Sequence, residues 1–282
     1  MASVSTKIAA VAGPFGRDLD AVFGRVERVL ARARKADVAL VVLPECTLGG
    51  YLGTTAPPAL DPEGPEIERL VGLAGDTVVC AGYVEAAPGG PYSAAVCVNG
   101  DGVLGRHRKV HVPPSETAYF RPGEGFTAFD TPVGRMGMLL CYDKVFPEAA
   151  RALALDGAQI VASLAAWPVC RWQPAARVGN DRQTRQFNLL DQARALENQV
   201  VWVSSNQAGE HAGERFLGHA KVVDPDGAVL SRTTARPGMA IAGVDVSRTL
   251  GDARTAYSHL GDRRPAAYLP PLAIEPPAAL PA

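Results

Sequence analysis

The chain has 282 residues, with 28 basic and 29 acidic side chains, a formal net charge of −1 and an apolar fraction of 47%. So even a balance excludes a basic nucleic-acid groove or a polyanion-binding face as the organising feature, and the apolar runs fall far short of the roughly 18 residues needed to cross a bilayer. The opening MASVSTKIAAVAGPFG has no basic segment followed by a long apolar core, so no signal peptide is read there, and five cysteines at unrelated spacings imply the reduced thiols of a cytoplasmic protein.

Thr6 to Ala12 reads as a first strand. In the following segment Val22, Val26, Val29, Leu30 and Ala33 share one face at helical spacing, with Asp18 placed to cap the helix. Val38 to Leu43 is a continuous apolar run, as expected of a strand covered on both faces. This β-α-β opening predicts a buried sheet with helices outside. A short helix over Pro65–Leu73 and a strand over Thr77–Glu85 come next. YSAAVCVNGDGVLGRHRK is a hairpin around an Asn-Gly-Asp-Gly turn. Phe126–Asp130, a turn at Thr131–Gly134 and a strand over Arg135–Leu140 repeat the device. Then come a helix over Phe146–Asp156 and a strand over Gln159–Ser163. Ala165–Asp181 reads as a long loop, the place where function usually resides. A helix over Arg182–Asn198, a strand over Val200–Ser205, a hairpin around Asp224–Gly227 and a closing strand over Met239–Val244 complete the series. No repeat or second domain is read: residues 1–268 are taken as one domain and 269–282 as a Pro-rich tail. From Arg264 onward six prolines exclude regular structure.

Three chemically active side chains each terminate a predicted strand: Glu45 after VALVVLP, Lys109 after GVLGRHR and Cys141 after GRMGMLL. Ligand sites of layered α/β proteins gather at such strand ends. A carboxylate, an ammonium and a thiol brought together form a coherent set. The cation lowers the thiol pKa and steadies the developing oxyanion, while the carboxylate takes the thiol proton and passes it to a leaving amine. The backbone N–H of Tyr142, just after the nucleophile, is a second oxyanion donor if the strand ends in a sharp turn.

The motifs carrying these residues resemble those of the carbon–nitrogen hydrolase family, the nitrilase superfamily. VVLPECTLGGY is similar to its glutamate motif, HRKVHVPPSE to its lysine motif and GMLLCYDKVFPEAARALALDGA to its cysteine motif. RALENQVVWVSSNQAG, FLGHAKVVDPDG and DRRPAAY extend the resemblance over residues 6–268. The resemblance implies an α-β-β-α sandwich whose subunits pair into a four-layer core, as a homodimer or higher homo-oligomer, and a Glu45–Lys109–Cys141 triad. Glu116 matches the family's second glutamate, which positions substrate and lysine. The implied reaction is attack of Cys141 on an amide or nitrile carbon, a thioester, and hydrolysis by water activated by Glu45. No metal or organic cofactor is implied. The Cys-Tyr-Asp sequence follows amidases and carbamoyl-amide hydrolases rather than nitrilases with Trp-Glu after the cysteine. A small linear amide is therefore the expected substrate, with an N-carbamoyl amide and then a nitrile as alternatives. Tyr51 and Trp167 are the expected pocket walls.

Other readings of the same residues exist. His107 and His111, four apart, suggest a metal pair, but they fall on a strand and the loop beyond it rather than on one helical face. A Cys–His hydrolase would pair Cys141 with His111 or His219. A catalytically silent assembly subunit on the same fold would need none of these side chains reactive. Asp143 is expected to fix the turn around the cysteine, Glu148 to cap a helix or form an ion pair, and Arg194, Glu197 and Asn198 to pack their helix. Cys80 and Cys97 read as small buried hydrophobes.

Overall fold

The computed structural model describes residues 5–53 and 56–268. The opening unit is as expected: β1 (Thr6–Gly13), α1 (Leu19–Lys35) and β2 (Val38–Val42). The Asp18 carboxylate accepts the Ala21 N–H at 3.1 Å and so caps α1. Then follow α2 (Pro65–Ala74), β3 (Val78–Glu85), β4 (Tyr92–Asn99), β5 (Gly102–Arg108), β6 (Phe129–Thr131), β7 (Gly134–Leu140), α3 (Pro147–Leu155), β8 (Ile160–Ala165), α4 (Arg182–Asn198), β9 (Val201–His211), β10 (Glu214–Leu217), β11 (Lys221–Val223), β12 (Val229–Arg232), β13 (Gly238–Val244) and α5 (Val246–Ala256).

The strands run in the order β5-β4-β3-β2-β1-β9-β8-β7-β6, with β13 on β1 and β11 on β9. Two parallel sets, β1-β2-β3 and β7-β8-β9, meet where the ends of β1 and β9 pair at Ala12–Asn206 and Gly13–Gln207. Antiparallel strands flank both sets. The two halves of the sheet face each other. Ile8, Leu40, Val78 and Cys97 of one half share a core with Met138, Leu140, Ile160 and Val203 of the other. The opposite face of the first half packs on α1 and α2 through Val26, Leu30, Ile67 and Leu70. That of the second half packs on α3 and α4 through Ala150, Leu153, Ala195 and Trp202. Two apolar sheet faces, each with helices behind, give a mixed α/β fold layered as helices, sheet, sheet, helices.

Several elements differ from the sequence reading. β6 is three residues long, because Phe126 leaves the sheet to stack on His107 and His111 at 5.4 and 5.9 Å. β9 runs on to His211 and folds back as β10, and α5 follows the strand read as the last. The long loop is shorter than read: Ala165 closes β8, Val178–Asn180 is a single 3₁₀ turn, and Asp181 caps α4 by accepting the Gln183 N–H at 2.9 Å. Pro265–Ala267 form one 3₁₀ turn where no regular structure was expected. A single turn tolerates Pro at its first position, where the missing N–H is not needed. The tail 269–282 lies outside the described residues. No helix among the described residues is long and apolar enough to cross a membrane.

Candidate active site

Each reactive side chain leaves a strand end by a different device. The chain departs from β2 at Val42, and Glu45 lies on the turn beyond it, pressed against β3. The backbones approach so closely that a Cβ on Gly82 would sit 2.6 Å from Glu45 Cα, so only glycine fits there. The Gln207 side chain donates to Glu45 O at 2.9 Å and its own Oε1 accepts the Phe15 N–H at 2.9 Å, tying this turn to β9 and β1. Lys109 follows the last residue of β5. Its N–H donates to Ser93 O at 2.8 Å and its carbonyl accepts from Gly123 at 2.8 Å. Cys141 follows Leu140 with φ +47°, in the left-handed region that non-glycine residues rarely occupy, and opens a 3₁₀ turn over Cys141–Val145.

That turn is clamped by Asp143, which is fully buried. Its Oδ2 accepts the Leu140 N–H at 3.1 Å and meets His107 Nε2 at 3.1 Å. Its Oδ1 accepts the His111 N–H at 2.8 Å and meets His111 Nδ1 at 2.9 Å. These bonds hold the Asp143 carboxyl down at about 2, against the burial that would raise it. The two histidines are thus spent on Asp143, and the His111 ring stacks on Phe146 at 3.7 Å. From behind, Arg194 donates to Lys144 O at 2.9 Å and Val145 O at 2.8 Å. Arg194 therefore does more than pack its helix. Glu148 is exposed in the first turn of α3.

The buried ends converge. Lys109 Nζ lies 2.9 Å from Glu45 Oε1 and 2.7 Å from Glu116 Oε2, with Lys109 wholly enclosed. Ser93 Oγ donates to Glu45 Oε1 at 3.2 Å, and the Ala166 N–H donates to Glu45 Oε2 at 3.0 Å. The Ala166 backbone also favours the Cys141 thiolate, less strongly than burial and the Glu45 charge disfavour it. Burial opposes the Lys109 charge, but Glu45 and Glu116 outweigh it and hold the ammonium well above its ordinary pKa. Burial pushes the Glu116 carboxyl up; Lys109 pulls it down and Glu45 pushes it further up.

One expectation is corrected here. A cation beside Cys141 was expected to lower its pKa. Burial and then the Glu45 charge push the thiol well above its ordinary value, and Lys109 only partly offsets them. A shift in this direction favours the thiol over the thiolate, so a neighbouring base is needed to take the proton as sulfur attacks.

Cys141 and Glu116 open onto a cleft of about 200 Å³ whose walls include Tyr51, Tyr142 and Trp167. Tyr51 packs edge-on against Phe216 at 5.1 Å. Trp167 is fixed by its indole N–H to Gln183 Oε1 at 2.8 Å and by its backbone N–H to Asn206 Oδ1 at 2.7 Å. The structure thus gathers Glu45, Lys109, Cys141, Glu116, Tyr51, Tyr142 and Trp167 around one cleft or its floor. His219 is not part of the cleft lining, nor is His111. Burial and the nearby Lys221 hold the His219 imidazole down at about 4.

Sequence reading missed Ser93, the Ala166 N–H, Arg171 and Gln183. Ser93 carried one signal, a hydroxyl within an otherwise apolar strand opposite the lysine strand. The others gave none, because they depend on how the loop after β8 lies across β10, with Val169 N–H to Arg215 O at 2.9 Å. Also unforeseen is a buried cluster behind the turn. Asp191 accepts from Lys144 at 2.8 Å, from Trp202 Nε1 at 2.9 Å and from Lys221.

The fold and sequence of this chain are similar to those of known proteins. The family model for carbon-nitrogen hydrolases matches residues 7–253. A nitrilase of Pyrococcus abyssi is 34% identical over 75% of this chain and 78% of its own length. An (R)-stereoselective amidase of Pseudomonas sp. is 33% identical over 88% of each chain. The solved amidase of Nesterenkonia sp. AN1, in a form with acrylamide added at the active-site cysteine, superposes with a TM-score of 0.76 at 25% identity, covering 93% of this chain and 97% of that one. The chain belongs to the carbon-nitrogen hydrolase family. It is a nitrilase-superfamily carbon–nitrogen hydrolase whose relatives include both amidases and nitrilases.

Proposed function

We propose that this protein hydrolyses the C–N bond of a small linear amide, releasing ammonia or an amine and a carboxylic acid through a thioester on Cys141. The observation that carries the reading is the buried Lys109 ammonium held at 2.9 Å from Glu45 and 2.7 Å from Glu116, with Glu116 and Cys141 lining one cleft. Glu45 takes the Sγ proton as sulfur attacks the carbonyl carbon. The oxyanion forms against Lys109 Nζ and the N–H of Tyr142, which lies in the first turn of its helix, where N–H groups have no partner within the helix. Glu45 returns the proton to the leaving nitrogen, the C–N bond breaks, and the thioester is hydrolysed by a water that Glu45 deprotonates. Glu116 holds the far side of the Lys109 ammonium, so that the cation keeps its place when Glu45 changes charge. Tyr51 and Trp167 bound the acyl group.

An N-carbamoyl amide and a nitrile are the next substrates, the latter because a relative is named as a nitrilase. Ammonia release from a panel of linear amides, ureido acids and nitriles tests the choice. Turnover of nitriles alone overturns it. The reading extends to a single domain over residues 1–268 with 269–282 as a tail, to a cytoplasmic protein with its five cysteines unpaired, and to pairing of subunits. Exposed Leu189 and Leu196 on α4 favour the pairing, and a monomer in light scattering contradicts it.

A further inference from the structure

The walls of the cleft are largely apolar, from Tyr51, Pro113 and Trp167 among others, yet besides Lys109 at the floor one cation lines it among the described residues: Arg171. It stands at the mouth. Its side chain is 43% exposed and its Nη2 lies 2.7 Å from Glu214 Oε1 on β10. Glu214 engages one nitrogen and Tyr51 also interacts with the guanidinium, but a planar fork that carries five N–H donors retains donors for a second carboxylate. Gln183 lines the same cleft. The Trp167 indole N–H donates to Gln183 Oε1 at 2.8 Å, which fixes the amide so that its Nε2 is left as a donor. Asp181 ties their backbones together, because its Oδ1 accepts both the Cys170 N–H at 3.1 Å and the Gln183 N–H at 2.9 Å. The backbone bearing Arg171 and that bearing Gln183 therefore meet at a single oxygen atom. Two donors in the lining of an apolar cleft, with the thiol and Glu116 also lining it, define a complementary ligand: an acceptor group, negatively charged, joined by a short apolar chain to the reacting carbonyl. The Arg171 charge is also felt at Glu116, whose pKa it lowers.

We propose that Arg171, with the Gln183 amide in the same cleft, binds a carboxylate carried by the substrate, so that the preferred substrates are small amides with a distal carboxylate, the monoamides of short dicarboxylic acids. The inference rests on the amide-hydrolase reading. The distal carboxylate is bound and not altered. The amide C–N bond is the one that breaks, and a dicarboxylate and ammonia leave.

The test separates binding from turnover. Glutarate and butyrate, as product-like ligands with and without the second carboxylate, are compared for protection of Cys141 against alkylation by iodoacetamide, with thermal melts confirming that each variant is folded. In the wild-type protein glutarate protects at a concentration about 10–100-fold below that of butyrate, the value of a hydrogen-bonded charge. Arg171→Gln removes that advantage, Arg171→Lys restores part of it, and Glu214→Gln increases it by freeing the guanidinium. Equal protection by the two ligands in the wild type, or an advantage that survives Arg171→Gln, overturns the inference. Glutaramate and butyramide are then compared as substrates. Hydrolysis of both with no Arg171-dependent preference refutes the carboxylate site and leaves the hydrolase reading standing. Arg171-dependent protection without hydrolysis of any amide does the reverse.

Discussion

Asp143→Asn keeps the shape of the residue that clamps the nucleophile turn and removes its charge. The wild-type carboxylate is fully buried and accepts from two backbone N–H groups and two imidazoles at 2.8–3.1 Å. Its pKa falls from 3.8 to about 2. At about 1.4 kcal/mol per unit that gap corresponds to roughly 2–3 kcal/mol favouring the ionised form in the folded protein. The sign follows from linkage. A carboxylate depressed by folding stabilises fully above its unfolded pKa, and the contribution is lost as pH falls from about 3.8 through about 2. An asparagine keeps one acceptor oxygen and turns an NH₂ toward an N–H donor, leaving a buried donor unpaired at a further cost of about 1–3 kcal/mol. The variant is therefore expected to lose about 3–5 kcal/mol at pH 7 in urea denaturation, and the difference from wild type should narrow as pH drops below 3.8. Turnover should fall as well, because the Leu140 N–H held by Asp143 immediately precedes Cys141. A loss under about 1 kcal/mol, or a difference independent of pH down to 2.5, refutes the reasoning.

Lys144 and Lys221 share the single buried carboxylate of Asp191, and burial pushes Lys144 down from 10.5 to about 8. A base whose pKa is lowered on folding destabilises the folded state below about pH 8 and is relieved between 8 and 10.5, so Lys144→Met should raise stability at pH 7 by about 1–3 kcal/mol in urea melts. Asp191→Asn leaves two ammoniums without a counter-charge and should cost about 3–5 kcal/mol in the same assay. Gly82→Ala drives a Cβ into the Glu45 backbone and should cost about 1–3 kcal/mol with at least tenfold lower ammonia release, because the base is displaced with the backbone. A variant with wild-type rates would show that the close approach is not needed.

The parts of the fold legible in the sequence are those whose burial writes a period into the residues. β1, α1, β2 and β3 are covered by the core and read as apolar runs or a helical stripe. α5 buries only Val246 and Leu250, and its polar VSRTLGDARTA carries no stripe to see. β10 is a strand of only four residues, two charged and two apolar, after a turn at Ala212 (φ +53°) and Gly213 (φ +78°), where an alanine stands in a conformation usually announced by asparagine. At the site, Glu45, Lys109 and Cys141 were readable because strand ends place reactive groups predictably. Glu116, also brought to the site, came from the family resemblance. Ala166, Arg171 and Gln183 reach the cleft through contacts between segments far apart in the chain, which leave no local pattern. The direction of the Cys141 shift was misread for a related reason: sequence gives the neighbouring charge but not the depth of burial that outweighs it.

The central claim is that Glu45 takes the proton of a neutral Cys141 thiol, and Glu45→Gln measures it most directly, with ammonia release from an amide that the wild-type protein hydrolyses as the readout. The account predicts a fall in kcat/KM of about 10²–10⁴-fold with the protein still folded. A rate within threefold of wild type would contradict it, and loss on His111→Ala in its place would assign the proton transfer to an imidazole.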